Sequence, residues 1–273
     1  VFAENLFFNP NNNVLSFNGD QTNPAGIVGM IIDGTEVATL NLGQVTNLFL
    51  GHNDPATATA FSGAGGMTFL FGGPTPDSVP LLIGSNVSVF GETFVSGVFE
   101  SAIADAGTLD FFGATEFRDA SGLNASFAGR DIRFFDSLRV ASAGSIMTAG
   151  GDVSFINADP DGGVPGVGTD GLAEIFGVGA GTFDLAIDAG AGTVSLFHVG
   201  AMNALGDAQM LTSFGVDADT INFNGRVYDA VTQSYTADVY NMLGAPAGFA
   251  PGSVRFYGTD LAFNDAGLGM NRI

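Results

Sequence analysis

The segment Asn157-Ala158-Asp159-Pro160-Asp161-Gly162 sets oxygen-bearing side chains at alternate positions and closes on a glycine. Calcium takes about six to eight oxygen ligands, and a glycine permits the sharp bend that such a loop needs. The pattern reads as the opening of a calcium loop. An EF-hand would place a glutamate at its twelfth position, but here that position is Gly168, with Asp170 two residues later. The expected site is therefore a looser set of oxygens from Asn157, Asp159, Asp161 and Asp170, with calcium as the cofactor and no organic cofactor. A solvated turn built on the Asp and Pro residues is the alternative.

Catalytic residue types are sparse. His52 and His198 stand apart, and His198 sits in the apolar run Val194–Val199. Cysteine is absent, which removes thiolate nucleophiles and Cys-type zinc sites. No Gly-x-Ser-x-Gly elbow, His-Glu-x-x-His pair or phosphate-cradling loop occurs. Arg130-Asp131-Ile132-Arg133 with Asp136 is the one set that could act on an acidic sugar, its arginines pairing with substrate charge. Arginine stays protonated in most settings, however, and alternating Asp and Arg on a strand more often form cross-strand ion pairs. No catalytic residues are assigned on these grounds.

The scaffold that must position these groups is written in the composition. The 273 residues hold 41 glycines and 26 phenylalanines, 46% hydrophobic and only 13% charged residues, at a mean hydropathy of +0.32. That apolar content is too high for a disordered acidic tail. Seven arginines and no lysine face 28 acidic residues, for a net charge of −21, so phosphate backbones and anionic membranes are repelled and nucleic acid is excluded as a partner. No apolar run reaches the roughly 18 residues of a membrane-spanning helix. Val1-Phe2-Ala3-Glu4 begins without a basic segment, so no signal peptide is expected within these residues.

Short alternating runs bounded by Gly, Asn and Asp predict strands at Val14–Phe17, Met67–Phe71, Asn86–Phe90, Asp131–Phe135, Asp152–Ile156 and Thr220–Phe223. Helical spacing is confined to short stretches, Val98–Ala106 and Met202–Leu211. One motif recurs: Gly, then Thr, Ser or Asp, then an aliphatic residue, any residue, and Phe or Leu. Copies begin at Gly107, Gly151, Gly192 and Gly252, with a looser one at Gly66 and an off-beat one at Gly181. The openings at 66, 107, 151, 192 and 252 lie 41, 44, 41 and 60 residues apart. These gaps approximate multiples of about 20–22 residues, one rung of a β-solenoid. The expected fold is all-β, a parallel β-helix with Leu109, Val153, Val194 and Val254 inside one stacked sheet. A β-sandwich is the alternative. Residues 1–105 read as an N-terminal β region of irregular rungs and residues 106–273 as the regular repeats.

Segment 190–266 resembles the repeats of large secreted right-handed parallel β-helix exoproteins of the filamentous-haemagglutinin and autotransporter-passenger type. The resemblance is carried by Gly192-Thr193-Val194-Ser195-Leu196-Phe197, by Asp219–Gly225, and by Val231-Thr232-Gln233-Ser234-Tyr235-Thr236-Ala237-Asp238-Val239. Segment 107–157 reads as a diverged copy. The resemblance implies an extracellular or cell-surface β-helix used for adhesion or scaffolding.

Two function classes are consistent with these features. The first is a non-catalytic structural protein, a filament, sheath or surface-layer subunit or an adhesin scaffold, whose partners are copies of itself joined head to tail and host-cell or matrix glycans. Outward members of the pairs Phe7-Phe8, Phe111-Phe112 and Phe134-Phe135 would mark the contact surface, since strand side chains alternate. The second is a secreted polysaccharide-active β-helix enzyme. Asn86-Val87-Ser88 and Asn124-Ala125-Ser126 are glycan acceptor triplets.

Overall fold

The computed structural model describes residues 5–8, 14–19, 27–32, 35–41, 47–50, 68–71, 86–89, 92–100, 108–125, 130–156, 174–178, 183–200, 208–244 and 252–265. Every regular element among them is a β-strand, and all the strands belong to one mostly parallel sheet. Val98–Glu100, the start of one stretch of helical spacing, lie in the strand Glu92–Glu100. β-Branched and aromatic residues alternating with small polar ones favour this outcome. Parallel pairing on this scale is not the antiparallel pairing of a sandwich, and it is compatible with a β-solenoid.

The pairings resolve into three ladders that the chain visits in turn. The first ladder runs through Asn5–Phe8, Asn47–Leu50, Asn86–Val89, Thr108–Phe111, Asp131–Phe134 and Val153–Phe155, then residues 193–196 and 220–223, and ends on Val239–Met242. The second runs from Val14–Gly19 through Thr68–Phe71, residues 92–95 and 115–117, Leu138–Val140, Glu174–Val178, His198–Val199 and residues 227–229 to Arg255–Tyr257. The third runs from residues 98–100 through 122–125, Gly144–Thr148, 184–188, 213–217 and 232–236 to Asp260–Asn264. Among the described residues antiparallel pairing is confined to two places. Ile27–Ile32 pairs with Val14–Gly19 on one side and Thr35–Asn41 on the other, and Ala208–Gln209 lies against Glu174–Val178.

Two parts of the expected register need correction. Leu109, Val153 and Val194 do share one column of the first ladder, with Ile132 between the first two. Val254 does not, because the strand directly after it, Arg255–Tyr257, belongs to the second ladder. The same holds for the looser copy at Gly66, whose strand Thr68–Phe71 is also in the second ladder. Nor are the gaps simple multiples. Side-chain bonds between in-register neighbours of the first ladder span 22, 23, 21, 41, 27 and 19 residues in successive turns. The 41-residue step from Asp152 to Thr193 is one long turn rather than two short ones.

The core is built from columns of like residues. Phe111, Phe134 and Phe155 succeed one another in register and are fully or almost fully buried, with ring centroids 5.2 and 4.8 Å apart and planes nearly parallel. Parallel strands lie about 4.8 Å apart, so identical rotamers on adjacent strands place the rings at stacking distance without strain. Glycine is required at the corners. Gly190 has φ +54° where the chain turns from the third ladder into the first, at a shift in register. At Gly225 a side chain would collide with the carbonyl of Phe197.

Removing the middle ring should open a cavity flanked by the other two. Phe134→Ala is expected to cost about 3–5 kcal/mol in urea unfolding. Phe135→Ala, one residue on and half-buried, should cost less than half as much. Equal losses would contradict the inward column.

Candidate functional site

The expected calcium residues Asn157, Asp159, Asp161 and Asp170 lie outside the described residues, as does His52. Among the described residues no group of three or more His, Asp or Glu is placed to hold a metal ion.

The Arg130–Asp136 set is placed, and Asp131 and Arg133 within it bond across turns. Arg133 donates from Nε and a terminal nitrogen to the two carboxylate oxygens of Asp110, at 2.6 and 2.7 Å, one turn away and in register. This hydrogen bond holds the Arg133 guanidinium above its usual pKa. The guanidinium also stands 5.9 Å from the Phe135 ring. Asp131 Oδ1 accepts the N–H of Asp152 at 2.9 Å, and Asp136 Oδ1 accepts that of Ser137 at 2.6 Å. Arg130 is fully buried, and burial lowers its pKa to about 10.

A use of the acids that sequence reading missed is the capping column. Asn86 Oδ1 accepts the N–H of Thr108, Asp131 that of Asp152, and Asp152 that of Thr193, at 2.9, 2.9 and 2.8 Å. Each side chain sits at the start of a first-ladder strand and ties down the start of the next. The signal was present as the Thr, Ser or Asp at the second place of the repeated motif. Asn86, the first glycan acceptor triplet's asparagine, thus has its side-chain carbonyl engaged within the ladder. A second polar column lies two residues further along, where Asn222 donates to Ser195 and Asn241 to Asn222, at 3.0 and 2.8 Å.

Of the paired phenylalanines, Phe112 and Phe135 stack face to face with ring centroids 4.5 Å apart. On the third ladder Asp188 and Asp217 are in-register neighbours, both exposed. Partial desolvation, and next the charge of Asp188, raise the pKa of Asp217.

His198 is half-buried, edge-on to Phe197, and its Nδ1 accepts the N–H of Arg226 at 3.3 Å. Burial pushes its pKa down to about 4, helped by the charge of Arg226 and opposed by a backbone hydrogen bond at Val227. It is a neutral packing residue at pH 7.

The most distinctive surface is the last turn. Val239, Met242, Leu243, Tyr257 and Leu261 are five of the eight large hydrophobic residues exposed among the described residues, Tyr257 and Leu261 each at 48%. Met242 and Leu261 occupy the columns of the buried Phe223 and Gln233, so the interior rows run out to solvent here. Beneath them the core becomes polar in a controlled way. Gln233 is buried and donates to the carbonyls of Tyr257, Ala230 and Tyr228 at 2.5, 3.3 and 3.4 Å, while accepting from Tyr235 Oη at 2.8 Å. Tyr240 Oη accepts the N–H of Ala237 and donates to the carbonyls of Tyr235 and Asn264.

Comparison with protein-family profiles, curated proteins and solved structures returns no match.

The His198 pKa gives a pH dependence with a defined sign. Its folded value near 4 lies below the ordinary 6.5, so the unfolded chain takes up the proton first as pH falls. The stability His198 supports is complete above pH 6.5 and is lost between there and pH 4, by up to about 3 kcal/mol. Urea titrations should show this loss in the wild type relative to His198→Gln. Parallel profiles for the two proteins would refute a buried neutral histidine.

Proposed function

We propose that this chain is a parallel β-helix that serves as an extracellular, non-catalytic structural subunit. It would be a component of a filament, sheath or surface layer, or an adhesin scaffold, that associates with copies of itself. The observation that carries this reading is the concentration of exposed apolar side chains on the last turn, where three parallel strand edges also end among the described residues. Such edges template further strands unless they are covered. The resemblance of segment 190–266 to secreted β-helix exoproteins supports the same class and the extracellular setting. Of the Arg130–Asp136 set considered for an enzyme, Asp131 and Arg133 are engaged in hydrogen bonds between turns, to Asp152 and Asp110.

Electrostatics sets the conditions for association. A net charge of −21 opposes approach of two copies at low ionic strength, and the Debye length falls from about 30 Å at 0.01 M salt to about 10 Å at 0.1 M. Weight-average mass from light scattering should therefore rise with sodium chloride at fixed protein concentration. A monomer that persists at high concentration in salt would leave an adhesin or a polysaccharide-active enzyme as the better reading.

Calcium bound by Asn157, Asp159, Asp161 and Asp170 would brace the long turn between Asp152 and Thr193. Millimolar calcium should raise the melting temperature by mass action, and the double change Asp159→Ala, Asp161→Ala should abolish the rise. A wild-type melting curve indifferent to calcium would remove the site.

A further inference from the structure

We infer that His198 and Arg226 form an acid-released latch on the last described turn: a proton on His198 undoes the corner at Arg226, and the bonds by which Arg226 fastens that turn are released with it. Three successive corners between the first and second ladders stack here, at Phe197-His198, at Gly225-Arg226 and at Gly244 with Gly252. The middle corner is tied on both sides. On one side the N–H of Arg226 donates to His198 Nδ1 at 3.3 Å, and that of Asn224 to the carbonyl of Leu196 at 2.9 Å. On the other, Arg226 Nε donates to the carbonyl of Gly244 at 3.1 Å, and the carbonyl of Arg226 accepts the N–H of Arg255 at 2.9 Å. The approach is close because glycine stands at the contacts. A Cβ at Gly225 would lie 2.9 Å from His198 Nδ1, and one at Gly252 would lie 2.6 Å from Arg226 Nε. With no side chain at either glycine, hydrogen bonds hold these corners together.

The tie at His198 depends on its charge state. Nδ1 accepts the N–H of Arg226 only while it carries no proton, which is the neutral ring protonated on Nε2. Imidazolium offers two donors and no acceptor, so a proton on Nδ1 would face the Arg226 N–H and leave it unbonded. The ionisable groups on the neighbouring strands are Glu174, buried and in register with His198, then Tyr228, Asp229 and, one turn beyond in the His198 column, Arg255. None of these lends the ring a charge that favours protonation. Burial disfavours the imidazolium most and the charge of Arg226 adds to it, against a backbone hydrogen bond at Val227. The closed corner therefore selects the neutral ring, and opening restores its pKa from about 4 toward the ordinary 6.5. Between pH 7.5 and pH 5 this linkage multiplies the opening constant by about 25.

Hydrogen exchange of the 273-residue chain, followed amide by amide by NMR in dilute low-salt buffer, tests the latch. The reporters on the last described turn are the N–H groups of Leu243 and Gly244, bonded to Phe223, and of Arg255, bonded to Arg226. Those of Phe135, Ala141 and Ile156 report on earlier turns. After correction for intrinsic exchange rates, protection of the first three should fall about 25-fold from pH 7.5 to pH 5, and of the other three by less than about threefold. His198→Asn, whose Oδ1 accepts in place of Nδ1 and does not titrate, should keep the protection seen at pH 7.5 and abolish the fall. Arg226→Ala retains the backbone N–H but loses the bond to Gly244, so protection at Leu243 and Gly244 should drop already at pH 7.5. An even loss over all six amides, or a fall that persists in folded His198→Asn, would place the effect of acid elsewhere and overturn the latch. Should His198→Asn not fold, the wild-type profile decides, and protection of Leu243, Gly244 and Arg255 that is flat from pH 7.5 to pH 5 overturns it equally.

Discussion

In-register parallel pairing is the constraint on which everything else in this molecule depends. Strands about 4.8 Å apart put each side chain directly over the one that occupies the same place a turn earlier. A residue is therefore chosen chiefly for how it stands on its own column. Phenylalanine on phenylalanine is favourable at that distance, and the Phe111, Phe134 and Phe155 stack is the consequence. Aspartate on aspartate is unfavourable at the same distance; at Asp217 the charge of Asp188 adds to partial desolvation, the larger cause, in raising the pKa.

The chain meets this constraint for its acids by giving them backbone partners. A carboxylate that accepts the N–H of the next turn is held by a charge-assisted hydrogen bond and needs no cation. Asp131 and Asp152 are adjacent in their column, and each caps the turn after it. Where a cation is present, as at Arg133 over Asp110, the pairing is bidentate and in register. These bonds tie one turn to the next.

The strands and the like-on-like columns are legible in the sequence because alternation and glycine punctuation are local signals. The motif alone is enough to set Leu109, Val153 and Val194 in one column. Register beyond that is hidden for two physical reasons. The motif reports a strand just after a tight corner, and such corners open strands of the second ladder as well as the first, which is why Val254 falls outside the column that the motif suggests. Turn length is set by the chain between strands, and 41 residues separate Asp152 from Thr193 where 21 separate Asp131 from Asp152. The turn that opens at Arg130 escapes the motif because a buried arginine stands where neighbouring turns have Gly151 and Gly192. The open end is less visible still. Whether Met242 or Leu261 is core or surface depends on the next layer in space, and no local pattern carries that.

The distribution of tyrosine gives the tail its character. All four tyrosines, Tyr228, Tyr235, Tyr240 and Tyr257, fall in the last turns of a chain that otherwise uses 26 phenylalanines as its aromatic residues. Inside the stack, phenylalanine suffices because backbone groups are paired by the strands above and below. In these turns a ring with a hydroxyl fills the column while bonding a carbonyl or an N–H. Tyr228, Tyr235 and Tyr240, with Gln233, do this and leave the outermost apolar positions free of polar obligations. Exposed acids such as Asp188 and Asp217 stand in register on the third ladder, while the last described turn exposes Met242, Leu243 and Leu261, so charge and exposed apolar surface occupy different parts of the molecule.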